Sequence, residues 1–168
     1  MPEAGGRRTL YGASRFQLVK HPATPARLSD FIEPMKAKLV GSMPSGDWIY
    51  EIKFDGYRAL ALRGGSEMRI LSRSQKDLGG KFTEVKDSIA ALDIQDAIID
   101  GEIIALDEKG RSSFQLLQGF DVGQEKPPIL FYAFDLLRLN GKNLQNLPIE
   151  ERKVKLEELL KKPPSVVR

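Results

Sequence analysis

Trp48-Ile49-Tyr50-Glu51-Ile52-Lys53-Phe54-Asp55-Gly56-Tyr57-Arg58-Ala59-Leu60-Ala61-Leu62 sets the reading of the rest of this chain. Two strand-like runs, 48–52 and 58–62, meet at a charged turn. A lysine fixed at a strand end, two residues from an aspartate and five from an arginine, suits attack on a phosphorus atom. Its amine is the nucleophile once it has lost its proton. Gly56 lets backbone approach a ligand closely. The Arg58 fork matches phosphate or ribose oxygens. The bland alternative is a solvated hairpin with mixed charges around a glycine turn.

Working outward, Gly64-Gly65 reads as a hairpin turn between Ala59–Leu62 and Met68–Leu71. A helix is expected around 82–92, with Phe82, Val85, Ile89 and Leu92 on one face. An apolar strand, Ala97-Ile98-Ile99, resumes at Ile103-Ile104-Ala105-Leu106 and ends in the turn Asp107–Gly110. Ser112 or Ser113 could cap a short helix through Leu117. Ile129 to Leu137 is a further buried strand. The tail Ile149–Lys162 reads as an amphipathic helix stopped by Pro163-Pro164. Strands joined by hairpins, with a few helices, indicate an α+β fold with antiparallel sheet. Residues 1–30, with Gly5-Gly6 and the spaced prolines Pro22 and Pro25, read as a loosely ordered leader holding the single, solvent-facing His21.

Composition narrows the function classes. A chain of 168 residues is one domain, with a tail at most. Its 41% hydrophobic content suffices for a core, and its net charge of +3 tolerates nucleic acid without demanding it. With no cysteine, a disulfide scaffold and a thiolate zinc site are excluded. The chain contains no run of 18 apolar residues, so no membrane span is expected, and the polar stretch Met1–Arg8 does not resemble a secretory signal. A cytoplasmic, nucleoid-associated location is the expectation.

Three further segments carry candidate chemistry. Arg73, in Leu71-Ser72-Arg73, would neutralise negative charge if it faced Lys53. Ile99-Asp100-Gly101-Glu102-Ile103 places two carboxylates around a glycine inside an apolar strand. Carboxylates are costly to bury without partners, and a strand glycine marks a bulge or a close approach. Phe131-Tyr132-Ala133-Phe134-Asp135-Leu136 offers an aromatic that is either core or a stacking platform.

Glu51 to Arg58 resembles the nucleotidyltransferase signature of ATP-dependent DNA ligases, most of all the ligase domain of bacterial and archaeal end-joining ligases. The segments at Arg73, Asp100–Glu102 and Phe134 follow in the family's order. The resemblance implies a nucleotidyltransferase adenylation fold, ATP-grasp-like, over residues 31–168. It implies that Lys53 bonds covalently to AMP, with Asp55 orienting the reacting groups or metal. Glu51, Ile52, Arg58 and Arg73 would join the nucleotide site, Glu102 would bind ribose and a divalent metal (Mg²⁺ or Mn²⁺), and Phe134 would stack on adenine. Nicked or broken double-stranded DNA is the implied partner substrate. The family's later Glu-Gly and lysine motifs, and its OB-fold, have no counterpart after Phe134. The chain therefore reads as the N-terminal part of the domain, expected to be inactive or very weak alone, with another chain or domain supplying the missing motifs. Two rival readings are an RNA ligase or GTP-using capping enzyme, and a catalytically silent nucleotide- or DNA-end-binding module.

Overall fold

A computed structural model describes residues 30–43, 45–123 and 126–168. The leader, with His21, lies outside the described residues apart from Asp30. The elements run β1 (Tyr57–Gly64), β2 (Glu67–Ser72), α1 (Thr83–Ala90), β3 (Asp96–Ala105), α2 (Phe114–Asp121), β4 (Ile129–Leu139), β5 (Lys142–Asn143) and α3 (Ile149–Leu159). They form one antiparallel sheet of order β2-β1-β3-β4-β5, flanked by helices.

Strand alternation divides the apolar residues between two faces. Ala59, Ala61, Ile70, Ile99, Ile103 and Phe131 meet Val85 and Ile89 of α1, Leu117 of α2 and Leu156 of α3 in the main core. Leu60, Leu62, Leu71, Ile98 and Leu137 form a smaller cluster on the other face, against Phe31 and Ile32. β3 is buried on both faces, which explains its near-continuous apolar run. The strand expected there, with its continuation after Asp100-Gly101-Glu102, is a single element that passes through those residues with irregular pairing to β4. The cause is packing. A Cβ on Gly101 would stand 2.5 Å from both the Phe131 ring and the Tyr132 carbonyl oxygen. At the far edge, Val166 and Arg168 hydrogen-bond to the backbone of Phe131 and Ala133, beginning a parallel pairing with β4.

The strand expected over 48–52 is absent. β1 begins only at Tyr57, and both of its edges are already taken by β2 and β3. A β-rich sequence without a hydrogen-bonding neighbour is not a strand. Trp48, Ile49, Tyr50 and Ile52 are accordingly exposed. The described residues of 30–56 carry no helix or strand and form an arm that packs on the sheet through Phe31, Ile32 and Phe54.

Candidate active site

A cleft of about 700 Å³ opens between this arm, the end of the sheet and the start of α3. The arm contributes Met35, Lys36, Glu51, Ile52, Lys53 and Phe54. The sheet contributes Arg58, Glu102, Tyr132, Phe134 and Asp135, and α3 contributes Ile149. Register explains the sheet's share. Arg58 pairs with Glu102, and Glu102 with Tyr132, so the three lie in a row across β1, β3 and β4. They share the face of the smaller apolar cluster, leaving the helix-covered face to the main core.

Each charged group around the cleft has a distinct partner. Arg58 donates to both carboxylate oxygens of Asp100, from Nε at 3.0 Å and from Nη2 at 2.6 Å. Its guanidinium also lies 5.2 Å from the centre of the Phe134 ring. Arg58 thus orients the aromatic wall, and Nη1 is the nitrogen left for a ligand. Asp100 is 1% exposed, and burial pushes its carboxyl up while Arg58 opposes the shift. Beside it, Asp135 accepts from Arg152 Nη1 of α3 at 2.6 Å, both residues being buried. Burial again leads in raising the Asp135 carboxyl, with Arg152 pulling it down.

Glu102 accepts a hydrogen bond from the backbone N–H of Gly56 through Oε1, at 3.2 Å. This fixes the turn after Lys53 on β3. A Cβ on Gly56 would come within 2.2 Å of the Ile103 carbonyl oxygen, so only glycine allows the contact. Desolvation raises the Glu102 carboxyl above its ordinary value, against the pull of that N–H, Arg58 and Lys53.

Asp55 faces α2. Its Oδ2 accepts from Phe114 N at the start of that helix, at 3.2 Å, and its own N–H donates to Ser112 Oγ at 3.1 Å. The two candidate caps divide the work: Ser113 caps α2, and Ser112 holds the arm. Glu51 is ion-paired with Lys153 of α3, which also donates to the Phe134 carbonyl oxygen at 3.0 Å. Lys36 is paired with Glu33 at 2.5 Å. Lys53 is exposed and has no ion-pair or hydrogen-bond partner among the described residues.

Lys53, Glu51, Ile52, Arg58, Glu102 and Phe134 therefore line one cleft, with Asp55 anchored at its rim. Arg73 does not line it. That residue sits exposed in the turn after β2, where its charge is felt by Glu33. Sequence reasoning missed Ser112, Tyr132, Ile149, Arg152 and Lys153. Only the apolar stripe of α3 hinted at one of them, Ile149. Among the described residues, no three His, Cys, Asp or Glu side chains gather as a metal cage. One cleft carboxylate with an oxygen to spare, Glu102, suits a hydrated Mg²⁺ shared with substrate phosphates.

Residues 29–168 match the family model of the ATP-dependent DNA ligase domain. The chain belongs to that family. It is 37% identical over 134 residues to the multifunctional non-homologous end joining protein LigD of Pseudomonas aeruginosa, covering 79% of this chain and 16% of that protein. It is 33% identical over 140 residues to DNA ligase C1 of Mycolicibacterium smegmatis, covering 76% of this chain and 40% of the relative. The solved ligase domain of Mycobacterium tuberculosis LigD superposes with a TM-score of 0.59 at 29% identity, over 70% of this chain and 38% of that one. A mycobacterial DNA ligase D solved with ATP and MES gives 0.57 at 28% identity, with the same coverage. The chain thus spans well under half the length of these relatives.

Proposed function

We propose that the cleft binds ATP and that Lys53 is the residue adenylated. One observation carries this reading: Lys53 presents an amine with no ion-pair or hydrogen-bond partner among the described residues, in a cleft where Arg58 and Lys36 are both neutralised by carboxylates. A solved relative bound to ATP supports the choice of nucleotide. Phe134, steadied by Arg58, is the stacking wall for adenine, and Tyr132 and Ile149 enclose the same space. Stacking of this kind is worth about 1–3 kcal/mol per base where measured.

The deprotonated Lys53 Nζ attacks the α-phosphorus. An N–P bond forms, the bond to the bridging oxygen breaks, and pyrophosphate leaves with the electron pair. AMP is then held on Lys53 as a phosphoramide. It passes to the 5′-phosphate of nicked or broken DNA, and the neighbouring 3′-hydroxyl finally displaces it. Glu102 would hold Mg²⁺ or Mn²⁺, which neutralises charge on the phosphates. Asp55, braced by α2, fixes the turn that aims the lysine. The names of the relatives favour DNA over an RNA or cap substrate.

The exposed apolar side chains of the arm, Met35, Leu39, Met43, Trp48 and Ile52, support a second element of this reading: another part of the ligase, in the same or a partner chain, covers them and completes the site. The work would take place on chromosomal DNA in the cytoplasm. The test is incubation with α-labelled ATP and Mg²⁺, followed by denaturation. Label retained on the protein, competed by ATP and not by GTP, is the expected result. Competition by GTP with equal strength would favour a capping-type enzyme. No retained label, on this chain or on a longer chain that carries the completing part, would leave only a binding module.

A further inference from the structure

We infer that Lys153 is a positioning residue of this cleft: from helix α3 it clamps the arm that carries Lys53 against β4, through the Glu51 carboxylate and the Phe134 carbonyl oxygen.

Lys53 lies on backbone with no strand partner. Something other than a β-ladder must locate it. Downstream, Asp55 is held by Ser112 and Phe114, and Gly56 by Glu102. Upstream, Phe31 and Ile32 pack on the sheet about twenty residues before Lys53, and the contact near Lys53 is the Glu51 carboxylate on Lys153, 102 residues away in sequence. Lys53 is therefore bracketed, with one tether two residues before it and another two residues after it. Lys153 is not in the cleft lining, whereas Ile149, one helical turn earlier on the same side of α3, is. The ammonium thus acts from behind the cleft wall, and a single donor group joins the arm, β4 and α3.

Two features make the inference testable without unfolding the helix. α3 has its own anchors, since Arg152 is ion-paired with buried Asp135 and Leu156 enters the main core. Lys153 is also only partly buried, with 26% of its side chain exposed against 52% for Glu51, so the pair is screened by solvent and its effect is modest.

The inference deepens the proposed function of the same cleft, and its two halves are measured separately. Hydrogen exchange on the nucleotide-free 168-residue protein reads the clamp. Lys153→Met should speed exchange of the hydrogen-bonded amides of Asp55 and Gly56, at the end of the arm, by about fivefold, leaving β1 and β3 unchanged, in keeping with a pair worth up to about 1 kcal/mol. Lys153→Arg should retain slow exchange, and Glu157→Gln, exposed on the same helix, should have no effect there. Unchanged exchange in Lys153→Met overturns the clamp. ATP binding by calorimetry reads its consequence. Lys153→Met should weaken ATP by about three- to fivefold, with Glu51→Gln adding little in the double variant because both remove one contact. A loosened arm with unchanged ATP affinity in a wild type that binds ATP overturns the positioning role. A wild type that does not bind ATP, with a loosened arm in the variant, sinks the reading of this cleft as a nucleotide site complete in itself and leaves the clamp standing.

Discussion

The arm and the sheet each supply about half of the cleft, yet they are held by different forces. Arg58, Glu102 and Phe134 stand on strands of the sheet, Arg58 and Glu102 facing each other in register and Phe134 at the register shift of β4, with Arg58 ion-paired to buried Asp100 and Glu102 hydrogen-bonded to Gly56 N. Glu51, Ile52, Lys53 and Asp55 stand on backbone with no ladder, held through a few side chains that are largely exposed. A nucleotide needs both: a rigid wall to stack on, and a nucleophile that can approach the phosphorus and later hand AMP onward. Substitutions in the sheet should therefore be read out as lost stability, and substitutions in the arm as lost adenylation at nearly constant stability.

Breaking the Arg58–Asp100 pair, whose carboxylate is buried while the guanidinium is partly exposed, gives the largest expected effect. Arg58→Met strands the Asp100 carboxylate, which is 1% exposed, and should cost about 3–5 kcal/mol in urea unfolding. The double variant Arg58→Met/Asp100→Leu should recover much of that loss, because no buried charge is left alone. Next comes Gly101→Ala. The added methyl meets the Phe131 ring and a backbone oxygen at 2.5 Å, and overpacking of this kind typically costs about 1–3 kcal/mol. On the arm, Ser112→Ala removes one hydrogen bond to Asp55 N and should cost about 1 kcal/mol of stability at most, while slowing self-adenylation more than Gly101→Ala slows it per unit of lost stability. A large stability loss in Ser112→Ala would erase the distinction between the two regions.

The smallest effect is in pH. Burial holds the folded Glu102 carboxyl above the value it has in the unfolded chain. Its contribution to stability is accordingly present below the unfolded value and lost as pH rises through the folded one. Nucleotide binding with metal has the opposite sign, because protonation removes the charge that holds the ion. As pH falls into the mildly acid range, ATP affinity should drop while the urea midpoint gains a small contribution from this group. Glu102→Gln should weaken both trends, leaving in the urea midpoint the part that Asp100 and Asp135, raised in the same direction, contribute, as measured by calorimetry and urea titration on the same samples.

The division between arm and sheet also marks how far the sequence could be read. β1, β2, β3 and β4 were legible because alternation and apolar runs need nothing beyond the strand itself. The Lys53, Glu102 and Phe134 segments were legible because their residue types are out of place in a plain strand or turn. The arm was misread as a strand because Trp48–Ile52 has strand composition, and composition says nothing about whether a neighbour is present to pair with it. Arg73 looked like a cleft residue from its place after a hairpin, but the turn it occupies leaves it beside Glu33 rather than in the cleft. Ser112, Arg152 and Lys153 are ordinary residues on a turn and a helix. Their roles come from contacts 57, 17 and 102 residues away, which local pattern does not encode.

The amine of Lys53, unpaired among the described residues, is the point on which the functional account turns. Intact-protein and peptide mass spectrometry after incubation with ATP and Mg²⁺ tests it most directly, on the wild type and Lys53→Ala side by side. One AMP on the peptide containing Lys53, and none anywhere on the variant, is the expected result. AMP carried by Lys53→Ala, or found in the wild type on another residue, would contradict it.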